Sequence, residues 1–157
     1  MNMSQTQNIA VIGGGYWDKN LIRNFANLDA LHTICEMDLQ KQKEYRKTYP
    51  ELNITGDFLS VLESKEVKGI VIATPAVKHY RMTKDALLAG KDVFVEKPLA
   101  LTVEEGEELT ALAENQQGIL MVGHILEYHP AVLKLKDLIA AEIARLFTRA
   151  FITRPVL

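Results

Sequence analysis

Short runs of almost wholly apolar residues, separated by longer amphipathic stretches, constrain the fold of this chain more than any other feature. The runs lie at residues 9–12, 33–37, 69–73, 93–95 and 119–122. Strands that crossover helices bury on both faces have this composition, whereas half-exposed strands alternate apolar and polar residues. The pattern therefore predicts an α/β fold in which βαβ units surround a parallel sheet.

Amphipathic stretches between these runs predict helices at about residues 16–28, 78–89 and 103–115. In the first of them, Leu21, Phe25 and Leu28 share one face, which we expect to pack on the sheet. Gly90 and Gly118 follow the other two stretches and are expected to end those helices, since glycine favours the left-handed backbone found there.

Composition excludes several classes of function. A formal net charge of -2 and a pI near 6.1 argue against nucleic acid as a partner, because phosphate binding uses clustered Lys and Arg. No apolar run is long enough for a bilayer and the N-terminus has no signal pattern, so we expect no membrane partner and a cytoplasmic location. Cys35 is the single cysteine and the histidines lack ligand spacing, so no metal site is expected.

A glycine-rich loop, GGGYWD at residues 13–18, follows the first apolar run directly. It matches the dinucleotide fingerprint G-x-G-x-x-G except at its last glycine. Gly13 would permit the tight turn, and Gly15 would let the backbone approach a pyrophosphate at the positive end of the next helix. Asp18 replaces the third glycine and brings a negative charge there, so Asp18→Gly is expected to strengthen binding. Against this, a carboxylate in a first helical turn interacts favourably with the helix dipole.

An acidic residue, Glu36, lies within the second apolar run, about the expected 20 residues after the loop. A carboxylate there accepts hydrogen bonds from a ribose 2′-hydroxyl and repels a 2′-phosphate, which favours NAD over NADP. Asp38 is a weaker candidate for the same role. The alternative is an ordinary glycine turn beside a solvated acid, but the order of elements favours a Rossmann-type, doubly wound parallel sheet that binds NAD.

Two longer motifs narrow the interpretation. They are ATPAVKHY at residues 73–80 and AGKDVFVEKPLALT at residues 89–102, each at the carboxyl end of a predicted strand, where open α/β sheets bind ligands. In this order, after a glycine loop, they resemble the glucose-fructose oxidoreductase, inositol dehydrogenase and rhizopine-catabolism (Gfo/Idh/MocA) family. The segments GYWDKNLIRNF at 15–25 and VGHILEYHPAV at 122–132 look like the branch that oxidises UDP-N-acetylglucosaminuronic acid at C3 for bacterial surface polysaccharides.

The resemblance implies an NAD-dependent dehydrogenase that acts on a CH–OH group of a sugar or nucleotide-sugar. It assigns Lys97 as the catalytic residue that hydrogen-bonds the reacting hydroxyl, in a partly desolvated cleft. The cofactor-binding residues that it implies are Gly13, Gly15, Tyr16, Trp17, Glu36, Thr74, Pro75, His79 and Glu96. His79 is equally compatible with a packed histidine at a helix start. His124 and His129 either border the substrate cleft or are structural.

The resemblance also implies a domain division, with an NAD-binding Rossmann domain at residues 1–124. Residues 125–157 would be a linker helix, at about 130–141, and the truncated start of a second α+β domain, with a strand at about 145–152. The family's second domain carries an acid/base histidine that has no counterpart here, so we expect the isolated chain to be inactive, with a homo-oligomer possible. A non-catalytic dinucleotide-binding module or a degraded gene product is the alternative.

Overall fold

The computed structural model describes residues 7–15 and 18–140. By density of internal contacts the chain divides into two units, one ending at Gly123 and the other starting at His124. Three sequence-based expectations, those for Tyr16, for Trp17 and for a strand at about 145–152, lie outside the described residues.

Within the described part, the first unit is a six-stranded parallel sheet with helices between successive strands. The strands are β1 (Ile9–Ile12), β2 (Leu31–Cys35), β3 (Asn53–Thr55), β4 (Gly69–Ile72), β5 (Asp92–Val95) and β6 (Leu120–Val122). The helices are α1 (Asp18–Asn27), α2 (Leu39–Thr48), α3 (Phe58–Glu63), α4 (His79–Leu88) and α5 (Val103–Asn115). The strand order β3-β2-β1-β4-β5-β6 is that of a Rossmann-type fold, which confirms the predicted fold class.

Each face of the sheet has its own hydrophobic core, because successive side chains of a strand point to opposite faces. Along β1, Ala10 and Ile12 belong to the core that α3, α4 and α5 cover, whereas Val11 belongs to the core that α1 and α2 cover. All four residues of β4 are buried. Double coverage explains why these strands are apolar throughout rather than alternating.

The edge of the sheet at β3 differs from the sequence expectation, which contained neither this strand nor α2 and α3. β3 has a single buried residue, Ile54, and α2 is strongly polar, with only Gln42 and Tyr45 buried. Neither element therefore carries a full apolar stripe. The second strand, predicted at residues 33–37, instead lies nearer the N-terminus, at Leu31–Cys35. The chain leaves the sheet after Cys35, and Asp38 already caps α2.

Helix ends were predicted with mixed success. Gly90 follows Ala89, the residue after α4, and has a φ of 71°, as expected of a glycine that ends a helix. After α5, however, the left-handed residue is Gln117, with a φ of 54°, and not Gly118. In α1 the deeply buried residue is Ile22, while Leu28 lies beyond the helix and is 57% exposed, so the predicted packing face was wrong at that position.

The second unit contains a 3₁₀ turn (Ile125–Tyr128) and a helix, α6 (Pro130–Ala140). Nδ1 of His129 accepts a hydrogen bond of 3.2 Å from the backbone N–H of Ala131, so this histidine caps α6. Lys136 and Glu127 form an ion pair of 2.6 Å. Among the residues that the structure describes, no helix is both long and apolar enough to cross a membrane.

Candidate functional site

A cleft of about 320 Å³ lies at the carboxyl edge of the sheet, where the strand order reverses between β1 and β4. Loops leave the two strands in opposite directions at such a point, and open α/β sheets bind ligands in the resulting crevice. The predicted residues that line the cleft are Gly13, Gly15, Glu36, Thr74 and Pro75. The structure thus brings together residues that follow three different strands.

The glycine loop at residues 13–15 is shaped by close approaches that a side chain would block. Gly13 has a φ of 112°, and a Cβ at this position would lie 2.9 Å from the backbone oxygen of Ala73. A Cβ on Gly14 would overlap the carboxylate of Glu36. The loop therefore needs glycine to pass between β4 and the acid that follows β2.

Asp18, in the third fingerprint position, is engaged with the loop itself. The backbone N–H of Gly15 donates a hydrogen bond of 2.6 Å to Oδ2 of Asp18, whose side chain lines the cleft although the residue is only 8% exposed. Burial raises the pKa of the Asp18 carboxyl above its ordinary value, and the Gly15 hydrogen bond opposes this only in part.

Glu36 also faces the cleft. Its Oε1 accepts a hydrogen bond of 2.9 Å from the N–H of Asp38, and its Oε2 lies 3.6 Å from Nζ of Lys41. Only 11% of the Glu36 side chain is exposed. Asp38, the weaker candidate, instead accepts hydrogen bonds from the N–H groups of Gln40 and Lys41 at the start of α2. The arrangement favours Glu36 as the acid that a ligand in the cleft would meet.

His79 is a packed residue and not part of the cleft lining. It is 1% exposed, with Nε2 2.6 Å from the backbone oxygen of Thr74 and Nδ1 2.7 Å from that of Pro98. Both ring nitrogens are thus already engaged with the protein. Of the two roles open for His79, the geometry supports the structural one, and its assignment as a cofactor contact stays a prediction.

Glu96 and Lys97 follow β5, one strand away from the reversal point, and neither lines the cleft. The N–H of Glu96 bonds to the backbone oxygen of Ile72 at 2.9 Å, and its carboxylate leaves little room for a side chain on Gly123. Lys97 is exposed. The partly desolvated surroundings expected for Lys97 are therefore not supplied by residues 7–15 and 18–140.

Sequence reasoning missed several residues of the cleft. The cleft is also lined by Gly14, Cys35, Lys41, Gly56, Phe58, Lys78 and Met82. Lys41 lies in the polar helix α2, where no periodic signal separates it from its neighbours, and Met82 lies one turn into α4. Within the described ranges, no group of three His, Cys, Asp or Glu side chains could hold a metal ion.

The sheet order, with a glycine loop at the reversal point, defines the class of Rossmann-type nucleotide-binding domains. The chain belongs to the Gfo/Idh/MocA oxidoreductase family, whose NAD-binding Rossmann-fold model matches residues 7–124.

Individual relatives are more diverse than the family model. The chain is 31% identical over 145 residues to an uncharacterized oxidoreductase of Synechocystis, covering 91% of this chain and 39% of the relative. It is 28% identical over 115 residues to scyllo-inositol 2-dehydrogenase (NADP(+)) of Bacillus subtilis, covering 72% and 32% of the two chains. The chain thus spans less than half the length of these curated relatives.

Among solved structures, the chain is similar to UDP-N-acetylglucosamine 3-dehydrogenase from Acidithiobacillus ferrooxidans. The identity is 25% and the TM-score 0.75, and the match covers 83% of this chain and 42% of the other. The same fold therefore occurs in a protein named for a nucleotide-sugar.

Proposed function

We propose that this chain is the cofactor-binding part of an NAD-dependent oxidoreductase that acts on a CH–OH group of a sugar or nucleotide-sugar. The observation that carries the proposal is the meeting of the glycine loop and Glu36 in one cleft at the reversal point of the sheet. Bound NAD would supply a nicotinamide that accepts a hydride.

The residues of the cleft fit most of a dinucleotide. The glycine loop lies at the start of α1, where backbone N–H groups and the helix dipole favour an anion. Glu36 would accept hydrogen bonds from ribose hydroxyls, and Thr74 and Pro75 would lie toward the nicotinamide. Tyr16, Trp17 and Glu96 stay in the proposal as further cofactor contacts. The fit is poorest at Gly15, because Asp18 already occupies its N–H.

NAD is the preferred cofactor in this proposal, because the Glu36 carboxylate would repel a 2′-phosphate. Lys41 offsets part of that repulsion, since its ammonium lies 3.6 Å from Glu36. One relative is named for NADP(+), so cofactor choice varies in the family. The balance between Glu36 and Lys41 would set the preference in this chain.

For the substrate, we propose UDP-N-acetylglucosaminuronic acid, oxidised at C3, with Lys97 as the hydrogen-bonding partner of the reacting hydroxyl. Two relatives support a polyhydroxylated substrate by their names, one for scyllo-inositol and one for UDP-N-acetylglucosamine. The exposure of Lys97 leaves its ammonium free to meet a ligand at the end of β5.

The cofactor proposal is tested by calorimetric titration of NAD⁺ and NADP⁺ into the chain, into Glu36→Gln and into Glu44→Gln. Glu44 is an exposed carboxylate of α2 that does not line the cleft, so it serves as the matched control. We expect NAD⁺ to bind more tightly than NADP⁺ and Glu36→Gln to narrow the ratio by about tenfold, the size of one charged hydrogen bond. Tighter binding of NADP⁺ by the unchanged chain would contradict the role of Glu36. Failure to bind either, in the unchanged chain and in Asp18→Asn alike, would overturn the dinucleotide site.

A second candidate function is a non-catalytic dinucleotide-binding module. The exposure of Lys97 favours it, because the described residues do not give this lysine the partly desolvated surroundings expected of a catalytic group. Turnover of a sugar by the chain would exclude this second candidate, since a module binds the dinucleotide without oxidising a sugar.

A further inference from the structure

The oxygen of Asp18 that bonds to Gly15 lies directly against the glycine loop. Besides its hydrogen bond of 2.6 Å from the Gly15 N–H, Oδ2 would be 2.9 Å from a Cβ built on Gly13 and 3.0 Å from one built on Gly15. In the dinucleotide fingerprint, this surface of the loop is where the backbone approaches the pyrophosphate. The chain thus places an anionic oxygen of its own at the position where a phosphate oxygen would bind.

The charges around Asp18 further disfavour a phosphate at the glycine loop. Glu36, which follows β2, and Glu96, which follows β5, both act on Asp18 as like charges, while Lys41 of α2 acts as an opposite charge. Among the residues that the structure describes, the hydroxyl of Tyr45, the ammonium of Lys78 and the thiol of Cys35 are further ionisable groups near the loop. A pyrophosphate would bring further negative charge into this surrounding, where like charges disfavour one another.

We propose that the Asp18 carboxylate is an internal competitor for the Gly15 amide, so that the cleft accepts a nucleotide's pyrophosphate only when Asp18 is protonated or turned away. The inference rests on the proposed function, since the dinucleotide is the ligand whose phosphates compete. It makes Asp18 a residue that regulates occupancy of the cleft by phosphate-bearing ligands, and not merely a tolerated substitution of the third glycine.

This competition predicts which ligands gain affinity when the Asp18 charge is removed, and how the affinity for NAD⁺ changes with pH. Removal of the Asp18 charge should strengthen binding of NAD⁺ and ADP, which carry a pyrophosphate, and leave adenosine unchanged, because adenosine has no phosphate. Acidification should strengthen NAD⁺ binding, because burial raises the pKa of Asp18 and the neutral carboxyl no longer repels phosphate. Asp18→Asn isolates this effect, since it leaves Glu36, Glu96, Lys41, Lys78 and Tyr45 in place.

The experiment is calorimetric titration of NAD⁺, ADP and adenosine into the unchanged chain, Asp18→Asn, Asp18→Gly and the control Asp85→Asn. Asp85 is a carboxylate of α4 that pairs with Arg81 and lies outside the cleft. We expect both Asp18 variants to bind NAD⁺ and ADP about tenfold more tightly, the scale of one charge-assisted hydrogen bond. Affinity for adenosine should not change, and Asp85→Asn should match the unchanged chain. As the pH falls, the difference in NAD⁺ affinity between the unchanged chain and Asp18→Asn should shrink, since Asp18 gains its proton.

The outcomes separate this inference from the proposed function. Equal NAD⁺ affinity in the unchanged chain and both Asp18 variants would overturn the competition and leave the dinucleotide site standing. Tightening in Asp18→Gly alone would assign the effect to side-chain volume and overturn a competition of charge. Absence of NAD⁺ and ADP binding in all four proteins would overturn both proposals.

A second readout needs no ligand. In nuclear magnetic resonance spectra, the Gly15 amide should shift as the pH falls in the unchanged chain and stay fixed in Asp18→Asn, because its acceptor titrates only in the former. If the chemical shift of the Gly15 amide did not change with pH in the unchanged chain, this result would contradict the hydrogen bond on which the inference depends. The same spectra report whether each variant is folded.

Discussion

Nδ1 of His79 lies 2.7 Å from the backbone oxygen of Pro98, the residue directly after Lys97. The other ring nitrogen lies 2.6 Å from the backbone oxygen of Thr74. One buried imidazole therefore connects the segment that follows β4 to the segment that follows β5. Because both partners are acceptors, the two contacts are hydrogen bonds together only when both ring nitrogens carry protons.

His79→Ala is expected to lower the free energy of unfolding by about 2 to 4 kcal/mol, because it removes a buried ring that contacts the carbonyl oxygens of Thr74 and Pro98 and opens a cavity. Urea unfolding followed by circular dichroism measures the change. His124→Ala is the control, since that ring is exposed and its loss should cost less than about 0.5 kcal/mol. Equal stability of His79→Ala and the unchanged chain would show that the imidazole does not hold the two segments.

The parts of this molecule that could be predicted from sequence are those where burial leaves a simple pattern. β1 and β4 are apolar because helices cover both faces, and the glycine loop is recognisable because Gly13 and Gly14 have no room for side chains. By contrast, β3 has one buried residue and no recognisable pattern.

The roles of individual polar residues were harder to predict, because they depend on partners distant in sequence. His79 stands in a motif typical of a functional site, yet its contact with Pro98, 19 residues away, favours a structural role. Lys41 is indistinguishable from other lysines of α2 until the fold places it beside Glu36. The contact between Asp18 and Gly15 is local, but its geometry depends on how the loop enters α1, which spacing alone does not determine.

Cys35 is expected to resist alkylation in the folded chain. Burial, with smaller effects of Asp57 and Glu36, raises the pKa of its thiol to about 11, and the thiolate is the reactive form. Near neutral pH, modification by iodoacetamide should be slower than in denaturant by roughly a hundredfold or more, since two pKa units separate the two states. Mass spectrometry of timed samples measures both rates. Comparable rates in buffer and in denaturant would mean that the thiol is accessible.

Asp18 is expected to make the chain less stable as the pH rises. Its folded-state pKa lies above the ordinary value of 3.8, so between these two values the folded chain holds more protons than the unfolded chain. Stability then decreases with rising pH through that window and is constant above it. Asp18→Asn lacks this dependence, so the stability of the unchanged chain relative to the variant should decrease as the pH rises above 3.8.

Urea unfolding of both proteins across this range measures the difference. Carboxyls with a lowered pKa, such as Glu108 beside Lys84, have the opposite dependence but are present in both proteins and cancel. If the unchanged chain instead became more stable relative to Asp18→Asn as the pH rises, this result would contradict the raised pKa of Asp18.

The 157-residue chain is expected to show no turnover of UDP-N-acetylglucosaminuronic acid, even where it binds NAD⁺. Holding the sugar against the nicotinamide supplies roughly 7 to 11 kcal/mol of the barrier to such a reaction. Lys97 is exposed in the described structure, and one lysine cannot fix both the position and the orientation of a sugar ring. Loss of general acid/base help alone costs about a hundredfold or more in rate. The assay is NADH formation, followed by its absorbance with the nucleotide-sugar in excess. Turnover that disappears in Lys97→Ala would contradict this prediction, and it would at the same time support the role of Lys97.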